Sequence, residues 1–326
     1  RRGRSDGPVV AGAVRKMNLD LIAIVGPTAC GKTRLGVEVA HRLGSEIVSA
    51  DSRQVYRGLD IGTGKDLDEY AAVTPPVPYH LIDVADPGEV YTLFRYQQDC
   101  YRVLREMAAR APFADGETPV VLVGGSGLYV ESVVREFRLA DVPQNPELRE
   151  RLLGRDREEL VADLEKRWPD LAVETDVSSK RRVVRAFEIA EYRETRPVRY
   201  GEPPGLSLRF LVFGIDAPRE KLRRRIGLRL RARLEEGMVE EVQGLLDRGL
   251  DPCRLDDLGL EYREIAAYVS GKKTRQQMVS DLEIAIGRFA KRQQTWFRGM
   301  ERRGVPIRWN GPEDADDNFT TIGKSR

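Results

Sequence analysis

The stretch "LIAIVGPTACGKTRLGVEVAHRL", residues 21–43, decides the fold of this chain. An apolar run ends at a glycine and a segment with helical spacing follows, which predicts a strand, a loop and a helix. Between strand and helix the sequence matches the pattern GxxxxGK[ST]. Glycines let such a loop wrap a phosphate, and backbone N–H groups at the helix N-terminus supply positive potential.

The sequence therefore predicts a phosphate-binding loop. Its residues are Gly26, Pro27, Thr28, Ala29, Cys30, Gly31, Lys32 and Thr33. Lys32 would place a charge at the phosphates, and the Thr33 hydroxyl suits Mg²⁺. The motif predicts bound phosphates but does not indicate which molecule carries them.

Further apolar runs lie at 45–52, 78–87, 118–130 and 208–216, and helical segments separate most of them. Continuous apolar strands that alternate with helices are typical of a parallel sheet covered on both faces. The predicted fold class is α/β: a P-loop NTPase-like parallel sheet core with helices on both faces and a helical inserted subdomain. In such sheets, ligands bind at the carboxyl ends of the strands.

Changes in composition predict the domain boundaries. Residues 147–195 have the pattern of charged helices with sparse apolar positions, after a proline-rich entry. We expect a disordered extension at 1–16, a catalytic core with C-terminal helices at 17–139 and 201–310, a helical insertion at 140–200, and a flexible tail at 311–326.

Composition narrows the functional classes. Hydrophobic residues make up 41% of the 326 residues and charged residues 33%, which is typical of a globular protein. Three dispersed cysteines argue against a disulfide framework or zinc finger and favour a reducing, cytoplasmic compartment. With only two histidines in the chain, a histidine-based metal site or a catalytic Ser-His triad is unfavoured. No apolar run approaches the ~18 residues that a membrane span needs.

Two more strand ends carry candidate catalytic groups. Asp51 follows the second apolar run, where it is either a general base facing the phosphate loop or a cap for the next turn. The scarcity of histidine favours the base. In "LVGGSGLYV" (122–130), Ser126 would lie near a leaving group, unless the segment is only a tight turn.

Basic residues are clustered although the net charge is only +2. Eight of the fifteen residues from Arg219 to Arg233 are basic, and further clusters lie at 180–185 and 288–298. Such runs are usually solvated helix faces, but three of them suggest surfaces for a polyanion. Trp296 and Phe297 would either stack on unpaired bases or, as helical spacing favours, pack in the core.

Together these stretches resemble the tRNA dimethylallyltransferase (isopentenyl-diphosphate:tRNA transferase) family across nearly all of 20–310. Besides "GPTACGKT", the resemblance is carried by "DSRQVYRGLDIGTGK", "HLIDVADP", "LVGGSGLY", "RVVRAFEI", "RIGLRLRARLEEGMVEEV" and "FAKRQQTWFR". It implies transfer of the dimethylallyl group from dimethylallyl diphosphate to N6 of the adenine on the 3′ side of the anticodon, without nucleotide hydrolysis. The implied partners are the tRNA anticodon stem-loop and this donor, with Mg²⁺ as cofactor and no membrane, and we expect a monomer.

The resemblance also implies roles for individual residues. The catalytic residues would be Asp51 as general base, Ser126, Thr33 as metal ligand, and Arg229 as an added cation. The phosphate loop would hold the donor diphosphate. The residues implied to contact tRNA are Asp51, Ser52, Arg53, Gln54, Arg149, Arg181, Arg182, Arg185, Tyr262, Arg263, Arg288, Lys291, Arg292 and Gln293.

Some positions depart from the family pattern. "DIGTGKD", which ends at Asp66, replaces the usual DIGTAKP, so Gly64 and Asp66 stand where alanine and proline are usual. Glu261 stands where glycine is common, and Ser126 where threonine is usual. The alternatives are an adenylate isopentenyltransferase that acts on free adenine nucleotide, a P-loop small-molecule kinase, and a non-catalytic RNA-binding protein. The 140–200 insertion and the "AKRQQTWFR" helix favour tRNA over the first of these.

Overall fold

A computed structural model describes residues 18–114 and 118–311 of the chain. The predicted extension 1–16 and, apart from residue 311, the predicted tail lie outside these residues. The described residues form a six-stranded parallel sheet in the order β3-β2-β4-β1-β5-β6. The strands are β1 (Asn18–Val25), β2 (Ile47–Ser49), β3 (Tyr79–His80), β4 (Val120–Gly124), β5 (Ser207–Ile215) and β6 (Ile307–Asn310).

Helices connect and cover the strands. They are α1 (Lys32–Leu43), α2 (Leu67–Ala71), α3 (Leu93–Ala108), α4 (Gly127–Val134), α5 (Pro146–Leu153), α6 (Arg157–Arg167), α7 (Pro169–Glu174), α8 (Lys180–Thr195), α9 (Arg219–Glu235), α10 (Met238–Asp247), α11 (Pro252–Leu258), α12 (Leu260–Val269) and α13 (Arg275–Arg302). The predicted α/β class and the strand–loop–helix unit at the start are confirmed.

Strand β1 lies in the middle of the sheet, between β4 and β5. Its residues from Leu21 to Val25 are all buried, as expected for a strand covered on both faces. Because β2, β4 and β1 are neighbours in a parallel sheet, the loops that follow them lie side by side at the carboxyl ends of the strands. Those loops carry Asp51, Ser126 and the phosphate-binding loop.

Two strands differ from the prediction. The run at 78–87 yields only the two residues of β3, because Leu81 and Asp83 adopt left-handed backbone conformations (φ 62° and 57°) that end the strand. Strand β6, which was not predicted, adds to the edge of the sheet beside β5. With four residues and only two clearly apolar positions, it carries too short a pattern to be recognised.

Helices α5, α6, α7 and α8 share a hydrophobic cluster of their own, which includes Leu160, Leu164 and Phe187. Helix α5 begins where the Asn145 side chain accepts a hydrogen bond from the Leu148 N–H, with proline in the first turn. Their position matches the predicted helical insertion, while the domain division itself stays a prediction.

Helix α13 runs for 28 residues, about 42 Å at the usual rise, and passes the loops after β1 and β4, where Gln293 contacts Thr28 and Gly125. A capping box between Thr274 and Gln277 starts it. Phe297 is fully buried, and a Cβ added to Gly127 would lie 2.2 Å from the Trp296 ring. Phe297 therefore packs in the core, as helical spacing favours, whereas Trp296 packs against Gly127 of α4 and stays partly exposed.

Candidate active site

The phosphate-binding loop leads directly into α1. Gly31 is the N-cap of that helix, in a left-handed conformation (φ 96°) and with no side chain to cap the first turn. The N–H groups at a helix start have no partners within the helix, so they are available to an anion here. Within the described residues no carboxylate forms an ion pair with Lys32, whose Nζ lies 3.5 Å from the Pro27 carbonyl oxygen.

Cys30 lies in this loop but is buried. Burial raises the pKa of its thiol, against the smaller opposing effect of Lys32. A protonated, enclosed thiol is a poor nucleophile, so Cys30 is a packing residue of the loop. Its carbonyl oxygen accepts a hydrogen bond from Arg225 at 3.3 Å, which ties α9 to the loop.

Gln293 braces the loop from α13. Its side-chain oxygen accepts the Thr28 N–H at 2.8 Å, and its Nε2 donates to the Gly125 carbonyl at 2.9 Å. The residue is only 6% exposed. Its amide is enclosed and bonded to protein groups, so Gln293 positions the loop in this structure, while the tRNA contact stays an untested prediction.

Asp51 lies two residues beyond the end of β2 and is half-buried. Its Oδ1 accepts the Arg53 N–H at 2.9 Å. This oxygen therefore caps the turn, as one of the two interpretations of Asp51 predicts. No described residue donates a hydrogen bond to Oδ2, and this oxygen is free for a substrate proton. Both interpretations of Asp51 are therefore compatible.

Ser126 connects the base loop to the loop after β4. Its Oγ accepts the Ser52 N–H at 2.9 Å and lies 3.1 Å from the Ser52 Oγ. In addition, the Ser126 N–H donates to the Ala50 carbonyl at 3.2 Å. Ser126 thus holds the chain on both sides of Asp51, Ser52 through its hydroxyl and Ala50 through its backbone N–H.

Two further residues that were expected to contact tRNA are buried in this region. Tyr262 is 1% exposed, and its hydroxyl donates to Glu241 at 2.6 Å. Gln54 is enclosed as well, with its Nε2 donating to the Gly64 carbonyl at 2.8 Å and its Oε1 accepting the Ser49 hydroxyl. As with Gln293, their polar groups are bonded inside the protein, and direct contact with tRNA stays an untested prediction.

Glu241 has a structural role that the sequence did not predict. Its carboxylate accepts the N–H groups of Asp60, Ile61 and Gly62 at 2.7–3.0 Å, together with the Tyr262 hydroxyl. The loop of residues 60–65 is therefore held from α10. No local motif marks this role, since the partners are about 180 residues apart in sequence.

Arg229 projects toward the cleft in front of the phosphate loop, where Arg225, Arg233 and Lys32 also lie. Its guanidinium is ion-paired with the carboxylate of Asp66. Arg229 therefore lines the cleft with a protein counter-ion, and its role at the diphosphate stays a prediction.

The arginines of the helical insertion fall into two groups. Arg149 forms a bidentate pair with buried Glu188 at 2.6 and 2.9 Å, and Arg185 joins the same carboxylate at 2.9 Å. These two hold the entry to the insertion against α8, and their contact with tRNA stays a prediction. Arg182 is exposed and ion-paired with Asp176, and Arg181 is exposed.

Helix α13 presents Arg288, Lys291 and Arg292 to solvent, on the side opposite Gln293. The Arg292 guanidinium lies 5.7 Å from the ring centroid of partly exposed Phe289. Arg263 is exposed and pairs with Glu264 at 3.0 Å, while the Arg53 guanidinium donates to the Asp257 carbonyl. Among the residues that the structure describes, no carboxylate pairs with Arg288, Lys291 or Arg292, and such exposed basic groups suit a phosphate backbone.

Residues 18–114 and 118–311 contain neither a cluster of metal-ligating side chains nor a helix able to span a membrane. No group of three or more histidine, cysteine, aspartate or glutamate side chains is arranged to hold a metal ion there. In the same residues no helix combines the length and apolar character that crossing a bilayer demands.

Comparison with known sequences identifies relatives along most of the chain. The tRNA dimethylallyltransferase 1 of Porphyromonas gingivalis is 49% identical over 289 residues, which cover 89% of this chain and 93% of the relative. The tRNA dimethylallyltransferase 2 of Bacteroides fragilis is 49% identical over 290 residues, with 89% and 92% covered.

Solved structures of similar proteins have the same fold. The tRNA isopentenylpyrophosphate transferase of Bacillus halodurans superimposes with a TM-score of 0.66 at 32% identity, covering 94% of this chain and 96% of that one. A eukaryotic dimethylallyltransferase acting on tRNA shares the fold, with a TM-score of 0.66, 19% identity and coverage of 94% and 77%. The isopentenyl transferase family model matches residues 19–75, and the IPP transferase model matches residues 54–300. The chain belongs to the IPP transferase family.

Proposed function

We propose that this chain transfers the dimethylallyl group from dimethylallyl diphosphate to N6 of the adenine on the 3′ side of the anticodon in tRNA, releasing diphosphate. The observation that carries the proposal is the identity of 49% over 89% of the chain with a tRNA dimethylallyltransferase. The meeting of the loops after β2, β4 and β1 at one edge of the sheet supports it, since these loops carry a carboxylate, a hydroxyl and a phosphate cradle.

In the proposed reaction N6 attacks the allylic carbon, a new C–N bond forms, and the bond from that carbon to the diphosphate oxygen breaks. Asp51 takes the proton that N6 loses. The N6 lone pair is delocalised into the purine, so proton removal as attack proceeds makes it a better nucleophile. The adenine has to leave its stack to reach a site enclosed by loops.

Departing diphosphate gains negative charge, which the loop N–H groups, Lys32 and Arg229 would stabilise. Thr33, at the first turn of α1, offers a hydroxyl oxygen of the kind Mg²⁺ accepts. Mg²⁺ typically takes few protein ligands together with substrate phosphates and water, so the lack of a carboxylate cluster in the described residues fits that ion. When bound there, it would add positive charge at the diphosphate.

Free adenine nucleotide is the alternative acceptor. The exposed basic face of α13 and exposed Arg181 on α8 favour tRNA, because a mononucleotide gives these groups nothing to bind. We further propose that the protein acts in the cytoplasm as a monomer.

The mechanism is tested with Asp51→Asn. Transfer from labelled dimethylallyl diphosphate to unmodified tRNA should fall by at least about a hundredfold, the usual scale for loss of a general base. Affinity for tRNA, measured by filter binding, should change little. Transfer at the wild-type rate in Asp51→Asn would refute the role of the base, and therefore the proposed mechanism.

A further inference from the structure

Three departures from the family pattern, Gly64, Asp66 and Glu261, surround one side chain, that of Arg233 on α9. A Cβ added to Gly64 would lie 1.4 Å from Arg233 Nη2, so the usual alanine cannot coexist with this arginine as placed. Asp66 Oδ1 lies 3.5 Å from the same nitrogen. Glu261 lines the same small cavity as Arg233, behind the phosphate loop.

The backbone at Asp66 explains why the usual proline is absent. Asp66 has φ 48°, a left-handed conformation that proline, with φ fixed near −65°, cannot adopt. Aspartate tolerates this region better than most residues. In this conformation the Asp66 carboxylate is ion-paired with the guanidinium groups of both Arg229 and Arg233.

Arg233 is poorly satisfied for a charged group. Its side chain is only 12% exposed, and Nη2 is buried without a hydrogen-bond acceptor among the described residues. Burial, and then the charge of neighbouring Arg229, lower the pKa of its guanidinium, but arginine stays protonated in proteins. A buried donor of this kind indicates a missing acceptor.

The cleft that Arg233 faces is lined by six basic and six acidic side chains. Three of the basic residues, Arg225, Arg229 and Arg233, follow one another at four-residue spacing on α9 and form a row of guanidinium groups. Asp66 is ion-paired with two of them, Arg229 and Arg233. Such a row of guanidinium groups suits an anion with several oxygens.

We propose that Arg233 is a second arginine that binds the donor diphosphate, and that Asp66 is a counter-ion which the diphosphate displaces from Arg229 and Arg233. The inference rests on the proposed function, since it concerns the leaving group of that reaction. Competition by Asp66 weakens diphosphate binding, and the return of Asp66 to the arginines after transfer assists product release.

The test is calorimetric titration with inorganic diphosphate in the presence of Mg²⁺, without tRNA. Arg233→Met should weaken binding about tenfold or more, because a charge-assisted contact is lost. Asp66→Asn should tighten binding several-fold. Arg231→Met is the matched control on the same helix: Arg231 is largely exposed and pairs with Glu283 at 3.1 Å, so its loss should leave the affinity unchanged.

Asp66→Asn keeps the test decisive if Arg233→Met fails to fold, because it removes a charge without creating a cavity. Unchanged affinity in Arg233→Met, or weaker binding in Asp66→Asn, would overturn the inference. The double variant adds a second check, since the gain from Asp66→Asn should shrink once Arg233 is absent. A protein that transfers no prenyl group yet shows these diphosphate responses refutes the proposed function only. Normal prenyl transfer by the wild type, together with unchanged diphosphate affinity in the Arg233 and Asp66 variants, refutes this inference only.

Discussion

The side-chain oxygen of Gln293 accepts a hydrogen bond from the backbone N–H of Thr28 at 2.8 Å, so helix α13 holds the phosphate-binding loop directly. The amide nitrogen of the same side chain donates to the Gly125 carbonyl at 2.9 Å. One buried amide therefore sets the spacing between the loops that follow β1 and β4.

Gln293→Ala should impair donor binding. The substitution leaves the Thr28 N–H and the Gly125 carbonyl without partners, at a cost of about 1–3 kcal/mol for each group. We expect the KM for dimethylallyl diphosphate to rise about tenfold and the melting temperature to fall, as measured by steady-state kinetics and calorimetry. Gln243→Ala, on the exposed side of α10, is the control. An effect on tRNA affinity alone would contradict the positioning role.

Tyr262→Phe should destabilise the protein without weakening its binding to tRNA. The variant loses a hydrogen bond to the Glu241 carboxylate, worth about 1.5–3 kcal/mol. Urea denaturation should report this loss, and tRNA affinity should stay within about twofold of wild type. If tRNA binding weakened while the free energy of unfolding stayed the same, Tyr262 would be a direct contact after all.

Stability should depend on Glu188 in acid. Burial opposes ionisation of this carboxyl, but Arg149, the Asn145 N–H and Arg185 outweigh it and lower its pKa. The stabilisation is complete above the pKa of about 4.3 expected in the unfolded chain, and it is lost as pH falls through the lower native value.

Glu188→Gln should therefore lower the free energy of unfolding at pH 7 by about 1–3 kcal/mol and reduce its decline between about pH 5 and pH 3. Urea denaturation across this range checks both effects. Glu165→Gln, at an exposed position on α6, is the control and should match wild type. If the free energy of unfolding fell as steeply with decreasing pH in Glu188→Gln as in wild type, other carboxyl groups would be responsible for the pH dependence.

The α13 face should supply electrostatic contacts to tRNA. Arg292→Ala and Arg181→Ala should each weaken tRNA binding and reduce the slope of log K against log salt by about one. Arg209→Ala is a suitable control, because Arg209 is exposed near the amino ends of the strands, opposite the site. Equal slopes in all three variants and wild type would place the RNA elsewhere.

Much of the fold and of the phosphate site could be predicted because the determinants are local. The strand, glycine loop and helix of residues 21–43 follow from spacing alone, and the positions of Asp51 and Ser126 follow from strands of a parallel sheet ending at one edge. Burial of Phe297 followed from helical spacing in the same way.

The remaining features depend on partners that are distant in sequence. Gln293, Tyr262 and Gln54 carry polar groups that RNA contacts also use, and only the structure shows that protein groups occupy them. Glu241 and Arg233 lie in the stretch "RIGLRLRARLEEGMVEEV", but their roles arise only where α9 and α10 pack against the loop of residues 60–66. Glu188 draws Arg149 and Arg185 into an ion-pair network, although Arg185 belongs to a basic run of the sequence and the resemblance implies tRNA contact for both.

The central claim is that an allyl diphosphate is the donor and tRNA the acceptor. Its most direct test is incubation of the protein with Mg²⁺ and dimethylallyl diphosphate labelled in the allyl group, in separate reactions with unmodified tRNA and with AMP. We expect label in tRNA, on the adenine 3′ to the anticodon, and none in AMP. Label in AMP with none in tRNA would contradict the account.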